Sequence, residues 1–301
     1  MQIKENTNLK RKLIKRMPSW LKSKIPSGEN YKIISKELRK RSLFTVCEEA
    51  SCPNMAECWD KKTATMMILG DICTRGCRFC KVKTGHPGGI VNEGEIQAAV
   101  EMVKVMSLKY LVVTSVDRDD LADYGATHFA NVVKAIKSDY PNVLVEVLVP
   151  DFCGDENSMN ILGKSSPFVI AHNVETVRRL STEVRDQRAG YQKSLDVLKF
   201  YKTNFHNIAT KSSIMIGLGE SMVEIEETLR DLKNVGVNIV TLGQYLTPTK
   251  KHLAVEKYYT PEEFTTLKKL AYRIGFDFVA SGPMVRSSYR AYDYLEFLKE
   301  R

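Results

Sequence analysis

Cys73, Cys77 and Cys80 lie in one short stretch, Cys-Thr-Arg-Gly-Cys-Arg-Phe-Cys. The C-x3-C-x2-C spacing lets a single loop present three soft thiolates, enough for three corners of an iron–sulfur cube. The fourth iron is left without a protein ligand, open to a small molecule that can chelate it. Zinc is the competing reading. A structural zinc usually takes four ligands in two spaced pairs, and no fourth Cys or His stands at the usual distance. A second triplet, Cys47-x4-Cys52-x5-Cys58, lies just upstream, so six of the seven cysteines fall in two groups of three and only Cys153 is left over. A disulfide framework suits small secreted domains, not a chain of 301 residues without a signal peptide. Two clusters are the better reading.

The first triplet, with Phe79 directly before its third cysteine, resembles the cluster loop of the radical S-adenosylmethionine (radical SAM) enzymes. In these the free iron takes the amino and carboxylate groups of SAM. The two triplets together, in Thr45–Trp59 and Gly70–Cys80, resemble those of the lipoyl synthases. Further segments similar to that family extend from about Lys15 to Ala291. They include Lys15–Lys22, Lys211-Ser212, Gly217–Glu220, Gly243–His252 and Gly282–Ala291.

Length and composition allow a large single domain, because a chain this size can bury roughly three quarters of its unfolded surface. No run approaches the ~20 apolar residues needed to cross a bilayer, so no membrane partner is expected. Thiolates kept for iron need a reducing compartment, which indicates the cytoplasm or an organelle matrix, and the cytoplasm is expected here. Charge is concentrated at one end. Residues 1–41 hold 13 Lys and Arg against 3 Asp and Glu, whereas the other 260 hold 32 and 33. No nucleic-acid-binding signature accompanies this arm. A transit peptide is disfavoured because the family resemblance already begins at Lys15. A docking surface for an acidic partner and a plain solvated helix both remain open.

Short β-branched runs at Met66–Leu69, Tyr110–Ser115, Val143–Val149, Phe168–His172, Ser213–Ile216 and Asn238–Leu242 alternate with amphipathic stretches. The latter are Glu93–Met106, His128–Ser138, Val174–Leu180 with Gln192–Tyr201, and Met222–Val235. Six β/α units predict an α/β fold with a parallel sheet curved into a barrel. Eight-fold closure needs about 250 residues, and Thr65 to Gly243 is 179. A partial (β/α)6 barrel of the radical SAM type is therefore expected at 65–250. Residues 1–64 form a basic N-terminal extension with the second triplet, and 251–301 a C-terminal extension.

Sites in such folds sit at the C-terminal ends of strands. After the second strand, Asp117, Asp119, Asp120 and Asp123 surround Arg118. A capped helix start explains one or two of these aspartates, and the rest must orient something. Lipoyl synthases usually carry a glycine where Tyr124 stands, and a tyrosine tolerates positive φ poorly, so a different local turn is expected. Strand four ends in Ala171-His172-Asn173, where the family usually has Asn-His-Asn. Asn173 and Glu175 are the expected SAM contacts, with Arg185 pairing bidentately with its carboxylate. Phe79 is placed with them. His172 reads as a satisfied core histidine and Cys153 as a small buried hydrophobe.

The resemblance implies more. Ser288, the second serine of Arg286-Ser287-Ser288-Tyr289-Arg290-Ala291, corresponds to the family's fourth ligand to an auxiliary 4Fe-4S cluster on Cys47, Cys52 and Cys58. A helix N-cap is the bland alternative for this serine. The Cys73/Cys77/Cys80 4Fe-4S cluster would reduce SAM to methionine and a 5′-deoxyadenosyl radical. That radical would take hydrogen from carbons 6 and 8 of an octanoyl chain on a carrier-protein lysine, using two SAM per lipoyl group, with sulfur coming from the auxiliary cluster. The catalytic set is therefore Cys73, Cys77, Cys80 and Ser288. Expected partners are an octanoylated glycine-cleavage H protein or dehydrogenase lipoyl domain, an electron donor such as ferredoxin or flavodoxin, and an iron–sulfur carrier for cluster repair. Another sulfur-inserting radical SAM enzyme, a methylthiotransferase or a biotin synthase relative, is the alternative. A non-catalytic iron–sulfur carrier is a third.

Overall fold

The computed structural model describes residues 17–21, 29–40, 44–45, 52, 54–55, 59, 65–288, 294 and 297. Cys47, Cys58, most of the basic arm and Tyr289–Ala291 lie outside them. Ten strands are described: β1 (Phe44–Thr45), β2 (Thr65–Ile68), β3 (Ile72–Cys73), β4 (Lys83–Thr84), β5 (Tyr110–Ser115), β6 (Leu144–Leu148), β7 (Val169–Ala171), β8 (Ala209–Ile216), β9 (Ile239–Gln244) and β10 (Phe278–Gly282). The helices are α1 (Glu29–Lys40), α2 (Gly94–Met106), α3 (Ala126–Asp139), α4 (Glu156–Gly163), α5 (Ser181–Val184), α6 (Tyr191–Asn204), α7 (Met222–Asn234) and α8 (Pro261–Ile274).

One eight-stranded sheet runs β1-β2-β5-β6-β7-β8-β9-β10, parallel throughout except for β1 on β2. The helices cover its outer face. Leu111, Val113, Val145 and Val147 pack with Val103, Phe129 and Val132, and Ile214, Ile216, Val240 and Leu242 pack with Leu195, Leu229 and Leu267. Alternate residues face inward, where Tyr110 and Lys211 both bond the buried Glu146 at 2.7 Å. Burial without partners would be costly for each of these groups. The strand ends of β2, β5, β6, β8 and β9 all line one cavity, so the sheet is curled as a partial barrel.

The six expected strands are present. Beyond them, α8 and β10 continue the alternation and add a seventh parallel strand within the stretch assigned to the C-terminal extension. Its sequence, Phe-Val-Ala-Ser-Gly, has too few large apolar residues to stand out. Thr260 and Glu263 form a reciprocal capping box at the start of α8, with Pro261 at the first helical position and Gly275 left-handed at its end. Ser221 and Glu224 start α7 in the same way. The helix expected at Val174–Leu180 is not formed. Val174–Val177 is irregular, bridging β8 at Glu175–Ile214 and turning tightly where the Thr176 N–H donates to the Val174 carbonyl (2.8 Å), and a 3-10 turn, Arg178–Leu180, then leads into α5. Helix α4 went unseen between strands three and four.

Candidate active site

The cavity at the C-terminal ends of the strands measures about 1110 Å³. Cys73, Cys77 and Cys80 line it, as do Cys52, Ser288, Asn173, Glu175, Arg185 and Phe79. Every expected site residue that the structure describes therefore opens on one space. Leu21, buried in the 3-10 turn Ser19–Leu21, lines it as well.

The first cysteine loop starts and ends in the β3–β4 ribbon, where Cys73 is opposite Thr84. Between them Arg75, almost fully buried, is the hub. Its guanidinium bonds Asp119 (2.8 Å) and Asp151 (2.7 Å) and lies 3.3 Å from Asp117. Burial alone would raise the carboxyls of Asp119 and Asp151, but hydrogen bonds from Arg75 hold both below the usual range. Asp117, on the cavity wall beside two other carboxylates, is pushed up to about 6, chiefly by desolvation, despite Arg75. The four aspartates thus divide their work. Asp117 and Asp119 face Arg75, Asp120 pairs with the buried Arg118 (2.8 Å), and Asp123 caps the N–H groups of Gly125 and Thr127.

Tyr124 does adopt positive φ (54°), followed by Gly125 at 86°. The turn keeps the left-handed backbone that a glycine would favour. A Cβ on Gly125 would stand 2.4 Å from Leu69 Cδ1, so the next position has no such latitude. Cys153 corrects the expectation of a buried hydrophobe. It is exposed, on a left-handed run from Phe152 to Gly154, with its thiol 3.4 Å from Arg75 Nη2. His172 is the satisfied histidine expected. Its Nδ1 lies 2.9 Å from the Val149 carbonyl and its Nε2 2.9 Å from Ser194 Oγ, and burial, helped by Arg185, lowers its pKa to about 4.

Burial pushes the thiols of Cys73 and Cys77 up to about 12 and that of Cys80 up to about 11. Such thiols ionise only against positive charge, which iron supplies. Among the described residues no three His, Cys, Asp or Glu side chains converge as a single ion needs. A cube gives each cysteine its own iron, so thiols ringing a cavity fit a cluster. Asn173 donates to Glu175 (3.1 Å), while its buried Oδ1 has no partner. Glu175 holds φ 66°, and burial raises its carboxyl. A strained backbone and an orphaned acceptor on a cavity wall fit a bound polar ligand. Arg185 spends one donor on Ser194 Oγ (2.9 Å).

Two contributions went unread in the sequence. Arg286 lines the cavity, and its one hydrogen bond among the described residues goes to the Val285 carbonyl at 2.6 Å. Burial lowers its pKa against the pull of the Cys52 thiol. Its chain crosses Gly243 so closely that a Cβ there would meet the Val285 oxygen at 2.1 Å. His252 Nε2 lies 2.9 Å from the Cys80 carbonyl and ties the loop after β9 to the cluster loop.

Residues 67–232 match the radical SAM superfamily, and residues 1–52 match the N-terminal domain of lipoyl synthase of the radical SAM family. The lipoyl synthase of Myxococcus xanthus is 50% identical over 95% of this chain and 96% of its own. That of Picrophilus torridus is 54% identical over 90% and 93%. The chain belongs to the lipoyl synthase family. The mitochondrial lipoyl synthase of Schizosaccharomyces pombe, also a member, is 51% identical over 93% of this chain and 77% of its own. Among solved structures, Streptococcus suis SuiB bound to S-adenosylmethionine shares the fold of this lipoyl synthase family member. Its TM-score is 0.56 at 11% identity, over 83% of this chain and 62% of SuiB.

Proposed function

We propose that the chain inserts sulfur at carbons 6 and 8 of an octanoyl group on a carrier-protein lysine, as a lipoyl synthase. The observation that carries this reading is one cavity bounded by Cys73, Cys77, Cys80, Cys52 and Ser288 together. At about 1110 Å³ it exceeds the usual single-ligand site. Bound there, a 4Fe-4S cluster with SAM supplies the radical that takes hydrogen from an unactivated carbon, and an auxiliary 4Fe-4S cluster supplies the sulfur. The chain's own part is to hold and shield. Asn173 Oδ1 accepts from an ammonium or hydroxyl of SAM, and Arg185 meets its carboxylate. Arg286 places a cation beside Cys52, which favours the thiolate there. Cys47 and Cys58 complete the auxiliary set with Cys52 and Ser288.

Anaerobic reconstitution tests the reading. About eight iron atoms per chain are expected for two cubes. With dithionite and SAM the protein should release 5′-deoxyadenosine and add two sulfurs to an octanoyl-lysine peptide, read by mass. Iron bound without 5′-deoxyadenosine would point to a carrier instead.

Ser288→Ala is expected to keep much of the auxiliary cluster on three thiolates yet lose sulfur insertion at one or both carbons. An alkoxide is a hard ligand on an otherwise soft site and is released more easily than a fourth thiolate. Ser287→Ala should change little, and equal tolerance of both substitutions would return Ser288 to a helix cap.

The carrier is an octanoylated H protein or lipoyl domain, with a ferredoxin or flavodoxin as electron donor and an iron–sulfur carrier for repair. The expected compartment is the cytoplasm, since the thiolates need reducing conditions. No helix among the described residues is long and apolar enough to cross a membrane. Neutralising Lys10, Arg11, Lys12, Lys15 and Arg16 should slow turnover on an acidic carrier by about tenfold at low salt. Turnover of an octanoyl-lysine peptide should stay the same. Identical responses would leave the arm a solvated surface.

A further inference from the structure

Residues 184–188 run along the cluster loop and are tied to it repeatedly. The Arg78 N–H donates to the Val184 carbonyl (3.0 Å), the Gly76 N–H to Asp186 Oδ2 (2.8 Å), and Arg188 Nη2 to the Thr74 carbonyl (2.7 Å). The backbone N–H of Asp186 points at Cys77 Sγ (3.3 Å). Its carboxylate is held in turn by Arg188 Nε (2.9 Å), which reaches on to Asp119 (3.1 Å). One residue earlier stands Arg185, buried on the cavity wall.

We propose that Asp186 is a positioning residue that fixes Cys77, and the cluster it holds, against Arg185 and the carboxylate end of SAM. This rests on reading Cys77 as a cluster ligand and Arg185 as a SAM contact. One residue links the two, since its carboxylate grips the loop while its N–H bonds the ligand sulfur. An N–H···S bond stabilises the extra negative charge of a reduced cluster and so tunes its potential. Groups of this kind behind a metal ligand typically matter 10- to 100-fold. The Arg188 side of the pair is exposed, so that contact contributes little to stability, and the grip of the carboxylate that remains is on the cluster loop, at the Gly76 N–H.

The test uses the full-length, reconstituted protein. Asp186→Ala is expected to release about half of its iron to a ferrous chelator roughly 10- to 100-fold faster than the parent. The SAM concentration that alters the electron paramagnetic resonance spectrum of the reduced cluster should rise by a similar factor. The auxiliary half of the iron should leave at the parental rate, which reports an intact fold. Asp186→Asn keeps an acceptor for the Gly76 N–H and should recover most of both properties. Parental iron release and SAM response in Asp186→Ala would overturn the proposal. Equal loss of all iron in both variants would overturn it too, by marking a folding element. A parent protein whose cluster spectrum ignores SAM would instead sink the underlying reading.

Discussion

Replacing Cys73, Cys77 and Cys80 together with alanine is expected to abolish SAM cleavage while half of the iron stays bound. Most of what holds the loop in shape does not involve its thiols. Arg75 anchors it to Asp119 and Asp151, the β3–β4 ribbon closes it, and His252 holds the Cys80 carbonyl. The three thiols, raised by burial, are neutral in the absence of iron, so their loss strands no charge. The proposed auxiliary ligands come from elsewhere in the chain. Cys52 and Ser288 belong to segments joined by a hydrogen bond from Asn54 to the Met284 carbonyl, and the triple substitution leaves that junction alone. Iron should therefore fall from about eight to about four per chain, with no 5′-deoxyadenosine. The reciprocal variant, alanine at Cys47, Cys52 and Cys58, should keep some SAM cleavage and lose sulfur insertion. Loss of all iron from both variants would contradict two separate sites.

Spacing made the candidate cysteines legible, because cysteines that share a cluster must be close in the chain or stand out by composition, whereas Ser288 was reached only through the family resemblance. The strands were legible for a similar reason, since a short continuous run of apolar, β-branched residues between helical stretches is a local signal and suits a parallel strand covered on both faces. Val174–Leu180 misled because its apolar spacing suits a helix, while tertiary pairing of Glu175 with β8 overrides it. The work of the aspartates could not be read in advance. Arg75 meets Asp151 from 76 residues away, and no local pattern encodes which carboxylate faces which guanidinium. Asp186 and Arg188 were hidden likewise, since their partners Gly76 and Thr74 lie 110 and 114 residues distant. Cys153 was misjudged from residue type alone. Its left-handed backbone and the charged groups beside it keep it at the surface.

Arg75→Leu is expected to destabilise the protein by about 3–5 kcal/mol, the range for removing one partner of a buried ion pair. The side chain of Asp151 is 1% exposed. Without Arg75 it would keep the Cys153 N–H (2.9 Å) and a distant Lys193 (4.0 Å). Asp119 is better placed, retaining Thr74 Oγ1 and Arg188, so most of the cost falls on Asp151. The sign of the pH dependence follows. Asp151 has a folded-state pKa below its unfolded value, because hydrogen bonds from Arg75 outweigh burial. Its contribution is therefore present above about pH 4 and is lost as the pH falls through the folded value. The gap between parent and Arg75→Leu should accordingly be widest near neutrality and narrow toward pH 4, where the stranded carboxyl can take up a proton. Adding Asp151→Asn to Arg75→Leu should recover part of the loss, because the double variant no longer buries an unpaired charge. Urea unfolding of the cluster-free protein between pH 4 and pH 7 measures all three quantities. A pH-independent gap, or strict additivity of the two substitutions, would show that Arg75 acts by packing alone.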